Sequence, residues 1–223
     1  MSDSSRFELL IATHNLGKIA ELRQAFANLP LALRFLSEFE NISEAKELGN
    51  TYEENALLKA ISYARQTGIA ALTDDSGLEV DALQGRPGVL SARFAGSALS
   101  DSERTQALLT LLSSVRSTQR TARFVCCMVL YGSLPFPRTD LSEPRVLAVT
   151  NGVCEGSLAT KPMGTEGFGF DPIFIPNGYD LSFSALVPAI KRKISHRARA
   201  AELMRQRIQK LLGPSLTTGG TAS

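Results

Sequence analysis

The chain has 223 residues, of which 43% are hydrophobic and 21% are charged, enough to bury one sizeable core. Its formal net charge is only +2, from 24 basic and 22 acidic residues, so no global field suggests binding to duplex nucleic acid. The polar first six residues are not followed by a long apolar stretch, so we expect neither a signal peptide nor a membrane partner.

The cysteines lack the spacing of a zinc site or a disulfide framework. Cys126 and Cys127 are neighbours, Cys154 is distant, and no CxxC pair occurs. We therefore expect reduced thiols and a cytoplasmic protein.

The first third of the chain predicts alternating strands and helices. Apolar runs and helical spacing predict a strand over 7–13, a helix over 16–29, a helix over 51–68 and a strand over 69–72. Thr51 and Glu54 have the spacing of a capping box, and Gly68 is a typical helix stop.

The rest of the chain continues this alternation. The sequence next predicts a helix that Ser100 and Glu103 cap and that runs through residue 112, followed by paired strands over 123–131 and 146–154. A Gly-rich loop over 164–172 and an apolar triplet over 173–175 come next. After a polar loop, the sequence predicts a final helix capped by Ser195. The interleaving predicts an α/β fold, as a single domain over 7–213 with disordered segments over 1–6 and 214–223.

Two adjacent carboxylates, Asp74 and Asp75, follow the predicted strand over 69–72. At a strand end they suit a hard divalent cation or an attacking water. The Asp-Asp-Ser-Gly sequence is also good turn chemistry, and many such clusters only join two strands. If both lay within a strand, their side chains would face opposite ways and could not easily serve one ion.

The segment 13–18, Thr-His-Asn-Leu-Gly-Lys, leads from a predicted strand directly into a helix. Free N–H groups and the helix dipole favour an anion such as phosphate there. The segment is not a Walker A loop, and it also suits an ordinary strand-to-helix turn.

Two further segments offer charged groups. Glu54 has a structural role in the capping box, whereas Glu47 lies outside the helix, so we prefer Glu47 as a metal ligand, although most loop glutamates bind nothing. Residues 191–210 carry eight basic residues against the single acid Glu202, which indicates either an anionic ligand or a solvated helix face.

Six ordered blocks carry a resemblance to a known family. They are THNLGK (13–18), YEENALLKA (52–60), DDSGL (74–78), GVLSARFAG (88–96), GFGFDP (167–172) and SHR (195–197). In this order the chain, from about residue 7 to residue 212, resembles the inosine/xanthosine triphosphate pyrophosphatases.

The resemblance implies an elongated α/β fold with a central mixed sheet flanked by helices, two lobes with a cleft between them, and a homodimer. It also implies Mg²⁺-dependent hydrolysis of the non-canonical purine nucleotides ITP, dITP and XTP to the monophosphate and pyrophosphate. Such an activity would clear deaminated purines from the nucleotide pool.

Hydrolysis of a phosphoanhydride needs charge neutralisation and a positioned water. We expect Lys18 and Lys59 to supply positive charge, and Glu47 and Asp75 to hold Mg²⁺, with Asp75 also orienting or deprotonating the water. The residues of the anion loop expected to bind substrate are Thr13, His14, Asn15, Leu16 and Gly17, and Ser76 is a further expected substrate-binding residue.

By resemblance, the base pocket is lined by Phe168, Gly169, Phe170, Asp171, Lys191, His196 and Arg197. Donors aimed at O6 favour a 6-oxo purine, since adenine would leave them unpaired at a cost of roughly 1–3 kcal/mol per buried group. Without the resemblance, core packing is the commoner role of phenylalanine, and residues 195–197 suit an ordinary helix start.

Two rival functions stay open at this point. One is a pyrophosphatase for another modified nucleotide, with a different base pocket. The other is a non-catalytic nucleotide- or RNA-binding protein that uses the basic segment, although the aromatic residues typical of RNA-binding modules are missing from that segment.

Overall fold

The computed structural model describes residues 7–133 and 143–213. The segments predicted to be disordered, 1–6 and 214–223, lie outside the described residues. The strands and α-helices of the described residues are β1 (Phe7–Ile11), α1 (Leu16–Phe26), β2 (Leu31–Phe35), α2 (Tyr52–Thr67), β3 (Ala71–Val80), α3 (Asp101–Leu111), β4 (Thr121–Gly132), β5 (Arg145–Leu158), β6 (Phe174–Pro176), α4 (Pro188–Ile194) and α5 (His196–Leu212).

The strands form one sheet in the order β2-β1-β3-β4-β5-β6. β1 pairs in parallel with β2 and β3, whereas β5 and β6 are antiparallel, so the sheet is mixed. The α-helices alternate with the strands from β1 to β4. The predicted α/β class with a mixed sheet is confirmed. The two long strands expected to pair, β4 and β5, are neighbours in the sheet.

The chain divides into two compact units. Among the described residues, unit 1 takes 7–75, 127–133, 143–151 and 200–213, and unit 2 takes 76–126 and 152–199. β3, β4, β5 and α5 each contribute residues to both units. The single domain over 7–213 stays a prediction.

Each unit has its own buried apolar clusters. In unit 1, the α2 residues Ala56 and Ala60 pack with Cys127 and Val129 of β4. In unit 2, Phe124 of β4 packs against Phe174, with 4.6 Å between the ring centroids, and Phe183 lies beside both. Such aromatic rings bury large areas and dominate the energetics of a core.

The acidic pair lies inside a strand, so the expectation that the strand ends before it was wrong. β3 runs from Ala71 to Val80 without a break, and Asp74 and Asp75 are 2% and 6% exposed. β3 lies between β1 and β4, so its backbone groups can pair on both sides. Both carboxylates also have cationic partners from other elements, described below, which offset the cost of burying them.

The helix boundaries were predicted well where the signal is local. Thr51 and Glu54 form the capping box of α2, and Gly68 ends the helix with a φ of 71°. Ser100 and Glu103 form the capping box of α3. Ser195 Oγ accepts from the N–H of Ala198, 3.1 Å away, at the start of α5.

Two helical predictions were wrong in detail. α1 ends at Phe26 rather than at residue 29, because Pro30 cannot continue a helix and disfavours helical backbone in the residue before it. α4 lies in a stretch that we expected to be loop, and it begins with Pro188, a residue that suits the first helical position.

The three cysteines are free and buried. Burial raises the pKa of the Cys127 thiol to about 12 and that of Cys154 to about 11, so neither is a reactive thiolate near neutral pH. Across residues 7–133 and 143–213, no helix combines the length and the apolar character that crossing a membrane requires.

Candidate functional site

The loop between β1 and α1 is shaped by its own side chains. Asn15 caps α1, and its Oδ1 accepts from the N–H of Lys18 at 3.0 Å. The N–H of Asn15 donates to Thr13 Oγ1 at 3.2 Å. His14, Asn15 and Leu16 are exposed, and Gly17 lies in the first turn of the helix. The loop therefore presents the start of an eleven-residue helix to solvent, as an anion site requires.

Lys18 and Asp74 form an ion pair in unit 1. Lys18 Nζ lies 3.1 Å from Asp74 Oδ2, and the Asp74 side chain is fully buried. Asp74 therefore has a defined role that the sequence left open: it holds the ammonium of Lys18 at the end of the anion loop.

Lys59 joins the two predicted metal ligands. Its Nζ lies 2.6 Å from Glu47 Oε1 and 3.2 Å from Asp75 Oδ1. The three side chains are 12%, 28% and 9% exposed for Lys59, Glu47 and Asp75. The structure thus brings together three residues that are spread over 29 positions of the sequence. Asp74 contacts α1 and Asp75 contacts α2, as expected of adjacent strand residues that face opposite ways.

Burial and charge act against each other in this cluster. Burial lowers the pKa of Lys59, but the carboxylates of Asp75 and Glu47 outweigh it, and the pKa is raised overall. Burial raises the pKa of Asp75, and the nearby charges of Lys59 and Lys18 only partly offset the effect. A carboxylate with raised proton affinity is better suited to accept a proton from water.

Asn55 is a site residue that we did not predict. It is fully buried; its Nδ2 donates to Asp75 Oδ2 at 3.3 Å, and its Oδ1 accepts from the N–H of Gly49 at 2.8 Å. It therefore connects Asp75 with the loop that carries Glu47. The available signal was its position four residues before Lys59, on the same face of α2.

Glu54 has the structural role that we predicted. Its Oε2 accepts from the N–H groups of Asn50 and Thr51, at 2.7 and 3.3 Å, and Thr51 Oγ1 accepts from its own N–H. Gly49 is required next to it, since a Cβ there would lie 2.6 Å from the Cβ of Glu54.

In unit 2, Asp171 organises the Gly-rich loop. Asp171 Oδ2 accepts from the N–H of Phe168 at 2.9 Å and from Lys191 Nζ at 2.6 Å. Lys191 Nζ also lies 4.9 Å from the centroid of the half-buried Phe168 ring. A Cβ on Gly167 would lie 2.3 Å from the same carboxylate oxygen, so only glycine fits. Asp171, Phe168 and Lys191 thus form one connected group.

Arg197 joins this group from the start of α5. Its side chain is almost completely buried, and its Nη2 donates to Ser76 Oγ at 2.9 Å. Its Cζ lies 5.5 Å from the Phe168 ring centroid, within the range of a cation–π contact. The ring of Phe168 is therefore shared by two cations, Lys191 and Arg197.

His196 and Phe170 lie in the core of unit 2. The His196 ring stacks on Phe124 at a centroid distance of 4.7 Å, and it is 4% exposed. Phe170 is 3% exposed and packs edge-on against Phe94. Core packing, the commoner role of phenylalanine, thus describes Phe170 but not the half-buried Phe168.

The basic segment 191–210 serves several purposes. Lys191 and Arg197 belong to the group around Phe168, whereas Arg199 donates to the carbonyl of Val153 and Arg205 pairs with Glu202. Other basic residues of the segment, such as Arg192 and Lys193, are exposed. The solvated-face interpretation therefore describes part of the segment. The anionic-ligand interpretation stays a prediction.

Known proteins are similar to this chain in sequence and in fold. A protein named dITP/XTP pyrophosphatase from Bacillus anthracis is 40% identical over 201 residues, which cover 90% of this chain and 96% of that protein. A protein of the same name from Vibrio vulnificus strain YJ016 is 42% identical over 193 residues, covering 86% of this chain and 92% of its own. The structure of a HAM1 protein from Coxiella burnetii matches with a TM-score of 0.78 and 35% identity, covering 92% of this chain and 99% of that one.

These matches confirm the resemblance drawn from the six ordered blocks, since the relatives carry the name of a dITP/XTP pyrophosphatase and match over nearly their whole length. The model of the Ham1 family matches residues 9–207, which is most of the sequence. The chain belongs to the Ham1 family.

Proposed function

We propose that this protein hydrolyses non-canonical purine nucleoside triphosphates, namely ITP, dITP and XTP, to the nucleoside monophosphate and pyrophosphate. The observation that carries the proposal is the buried Lys59 bridging Glu47 and Asp75. Family membership supports the substrate class, because relatives matched over most of the chain are named dITP/XTP pyrophosphatases.

The residues of unit 1 act on the phosphates. The ammonium of Lys18 and the N–H groups at the start of α1 offset the negative charge of the triphosphate. Asp75 is oriented by Lys59 on one oxygen and by Asn55 on the other, so its carboxylate can accept a proton from an attacking water in a defined direction. Lys59 keeps Glu47 within reach of the same point.

Glu47 and Asp75 fit a magnesium ion. Mg²⁺ prefers oxygen ligands and is commonly held by one or two carboxylates together with water and substrate phosphates. Both carboxylates already converge on one cation, the ammonium of Lys59, at 2.6 and 3.2 Å, so their placement matches that mode of binding. When bound, the ion would supply further positive charge for the phosphates and lower the pKa of a bound water.

The residues of unit 2 act on the base. Phe168 offers an aromatic ring for stacking, and the cations of Lys191 and Arg197 next to it are donors suited to the O6 atom of hypoxanthine or xanthine. Asp171 and Ser76 hold these cations in place. His196 and Phe170 support this group from within the core.

We further propose that the protein is a cytoplasmic homodimer. The free, buried thiols support a reducing compartment, and the family resemblance supports the dimer. Light scattering on a size-exclusion column would test the oligomeric state directly.

A nucleotide panel tests the proposed activity. Pyrophosphate release is expected from ITP, dITP and XTP in the presence of Mg²⁺, with far lower rates for ATP and GTP, and it should stop when EDTA removes the ion. Turnover of a different modified nucleotide alone would support the rival pyrophosphatase. Binding without turnover of any nucleotide would support a non-catalytic protein.

Replacing Lys18 with alanine is expected to lower kcat/KM by about 10–100-fold for ITP and for ATP alike, because its ammonium meets a triphosphate that the two substrates share. The measurement is kcat/KM for both nucleotides, with urea unfolding as the control, since Asp74 loses a partner. A loss confined to one base would place Lys18 outside the phosphate site.

Replacing Arg197 with methionine is expected to lower the ratio of kcat/KM for ITP to that for ATP about tenfold. The donors suited to O6 are lost, while the apolar stem of the side chain remains. The matched control is Arg199→Met on the same helix, where the guanidinium donates to the Val153 carbonyl. If both substrates lose equally in Arg197→Met, Arg197 does not read the base.

A further inference from the structure

Side chains of α3 form hydrogen bonds with both the N–H and the carbonyl group of Gly169. Asp101 Oδ2 accepts from the N–H of Gly169 at 2.6 Å. Thr105 Oγ1, one turn further along the helix, donates to the carbonyl of Gly169 at 3.3 Å. The helix is therefore hydrogen-bonded to the Gly-rich loop at the residue next to Phe168.

The carboxylate of Asp101 is itself held in place. Its second oxygen accepts from Arg104 Nη1 at 2.8 Å, and Arg104 Nη2 donates to the carbonyl of Leu99, also at 2.8 Å. Arg104 and Thr105 are 6% and 3% exposed, so the support for the exposed Asp101 is built into the buried side of the helix. Hydrogen bonds between ionised groups are about twice as strong as neutral ones.

The loop held in this way carries the aromatic ring of the proposed base site. Gly169 has a φ of 60°, so the backbone turns immediately after Phe168. Asp171 accepts from the N–H of Phe168 on the other side of the turn. The position of the ring relative to Lys191 and Arg197 thus depends on Asp171 within the loop and on Asp101 and Thr105 from α3.

We propose that Asp101, Arg104 and Thr105 are positioning residues for selection of the base. The proposal rests on the proposed function, because it assumes that the purine stacks on Phe168. If the loop loosens, the ring shifts away from Lys191 and Arg197, and contacts to the base weaken. The residues of unit 1 that act on the phosphates are unchanged, so KM for ITP rises and discrimination against ATP falls, while kcat changes little.

The first test compares three variants of α3. Asp101→Ala should lower the ratio of kcat/KM for ITP to that for ATP about tenfold, and Thr105→Val, which keeps the shape but loses the donor, about threefold. Asp101→Asn should give a ratio between those of Asp101→Ala and the wild type, since its amide oxygen can still accept from the N–H of Gly169. The control is Glu103→Ala, which removes the glutamate half of the capping box of the same helix and should lower stability without changing the ratio.

The second test does not depend on activity. The chain has no tryptophan, so Phe168→Trp provides a single fluorescent reporter on the loop. Adding Asp101→Ala to this variant should increase quenching by acrylamide about twofold, as expected for a loop that has lost a charge-assisted hydrogen bond. Adding Glu103→Ala should leave the quenching unchanged.

The outcomes separate the two proposals. If the wild-type protein does not prefer ITP over ATP, the proposed function fails, and the role of α3 in base selection fails with it even if the quenching changes. If the wild-type protein prefers ITP, but Asp101→Ala and Thr105→Val have the same ratio of kcat/KM for ITP to that for ATP as the wild type, the role of α3 is overturned and the proposed function stands. A loosened loop with an unchanged ratio would also overturn it.

Discussion

Asp75→Asn is expected to lower the rate of pyrophosphate release about 10³-fold or more while the fold stays intact. The amide keeps the shape of the side chain but loses the charge that would hold Mg²⁺ and the basicity that would accept a proton from water. The measurement is kcat for ITP at saturating Mg²⁺, with circular dichroism to check folding. Turnover close to that of the wild type would remove Asp75 from the reaction.

Two glutamates on the same segment provide the matched comparison. Glu47→Gln should lower kcat less severely than Asp75→Asn, since Glu47 is the more exposed member of the cluster. Glu54→Gln should be nearly neutral, because a glutamine still accepts the hydrogen bonds of the capping box. A larger loss in Glu54→Gln than in Glu47→Gln would mean that the two roles are reversed.

Lys59→Met is expected to lower the free energy of unfolding by about 2–4 kcal/mol, in addition to suppressing activity. It removes the ammonium between two largely buried carboxylates and leaves Asp75 and Glu47 repelling each other. Urea unfolding at pH 7 without Mg²⁺ measures the loss. Lys46→Met, at an exposed lysine of the same segment, is the control and should change stability little.

The variant should also respond to pH and to a second substitution. Burial already raises the pKa of Asp75, and loss of Lys59 removes a charge that lowers it. A carboxyl whose pKa is higher in the folded state destabilises the fold as pH rises, so Lys59→Met should regain stability as pH falls toward the raised pKa of Asp75. Adding Asp75→Asn should recover part of the loss at pH 7. If Lys59→Met had the same free energy of unfolding as the wild type, the charges of Lys59, Glu47 and Asp75 would not be coupled.

Features that depend on neighbours in the sequence could be predicted. Thr51 with Glu54, and Ser195 at the start of α5, are caps whose partners lie three residues away, so the residue types suffice. The structural role of Glu54 could be predicted in the same way, because its partner is local. The role of Glu47 as a metal ligand stays a prediction.

Features that depend on partners distant in the sequence could not be predicted. Asp74 and Asp75 have turn-like neighbours in sequence, yet they lie within a buried strand because Lys18 and Lys59 reach them from two helices. Asn55 was missed for the same reason, since its partners Asp75 and Gly49 come from other segments. The spacing of Asn55 to Lys59 is a local signal, but it does not identify partners that come from other segments.

Residues of the same type in one motif also need the structure to tell them apart. Phe168 and Phe170 are two positions apart in the Gly-rich loop, but Phe168 is half-buried beside two cations and Phe170 is in the core. Gly169 between them has a φ of 60°, in the left-handed region that favours glycine, so the backbone turns between the two phenylalanines.

The product formed from ITP tests the central claim most directly. Phosphorus NMR of ITP incubated with the protein and Mg²⁺ identifies which phosphoanhydride bond is broken. We expect signals of inosine monophosphate and pyrophosphate to appear together in equal amounts, and the Asp75→Asn variant to leave ITP intact. Formation of inosine diphosphate and orthophosphate, or the absence of any product from the wild-type protein, would contradict the account.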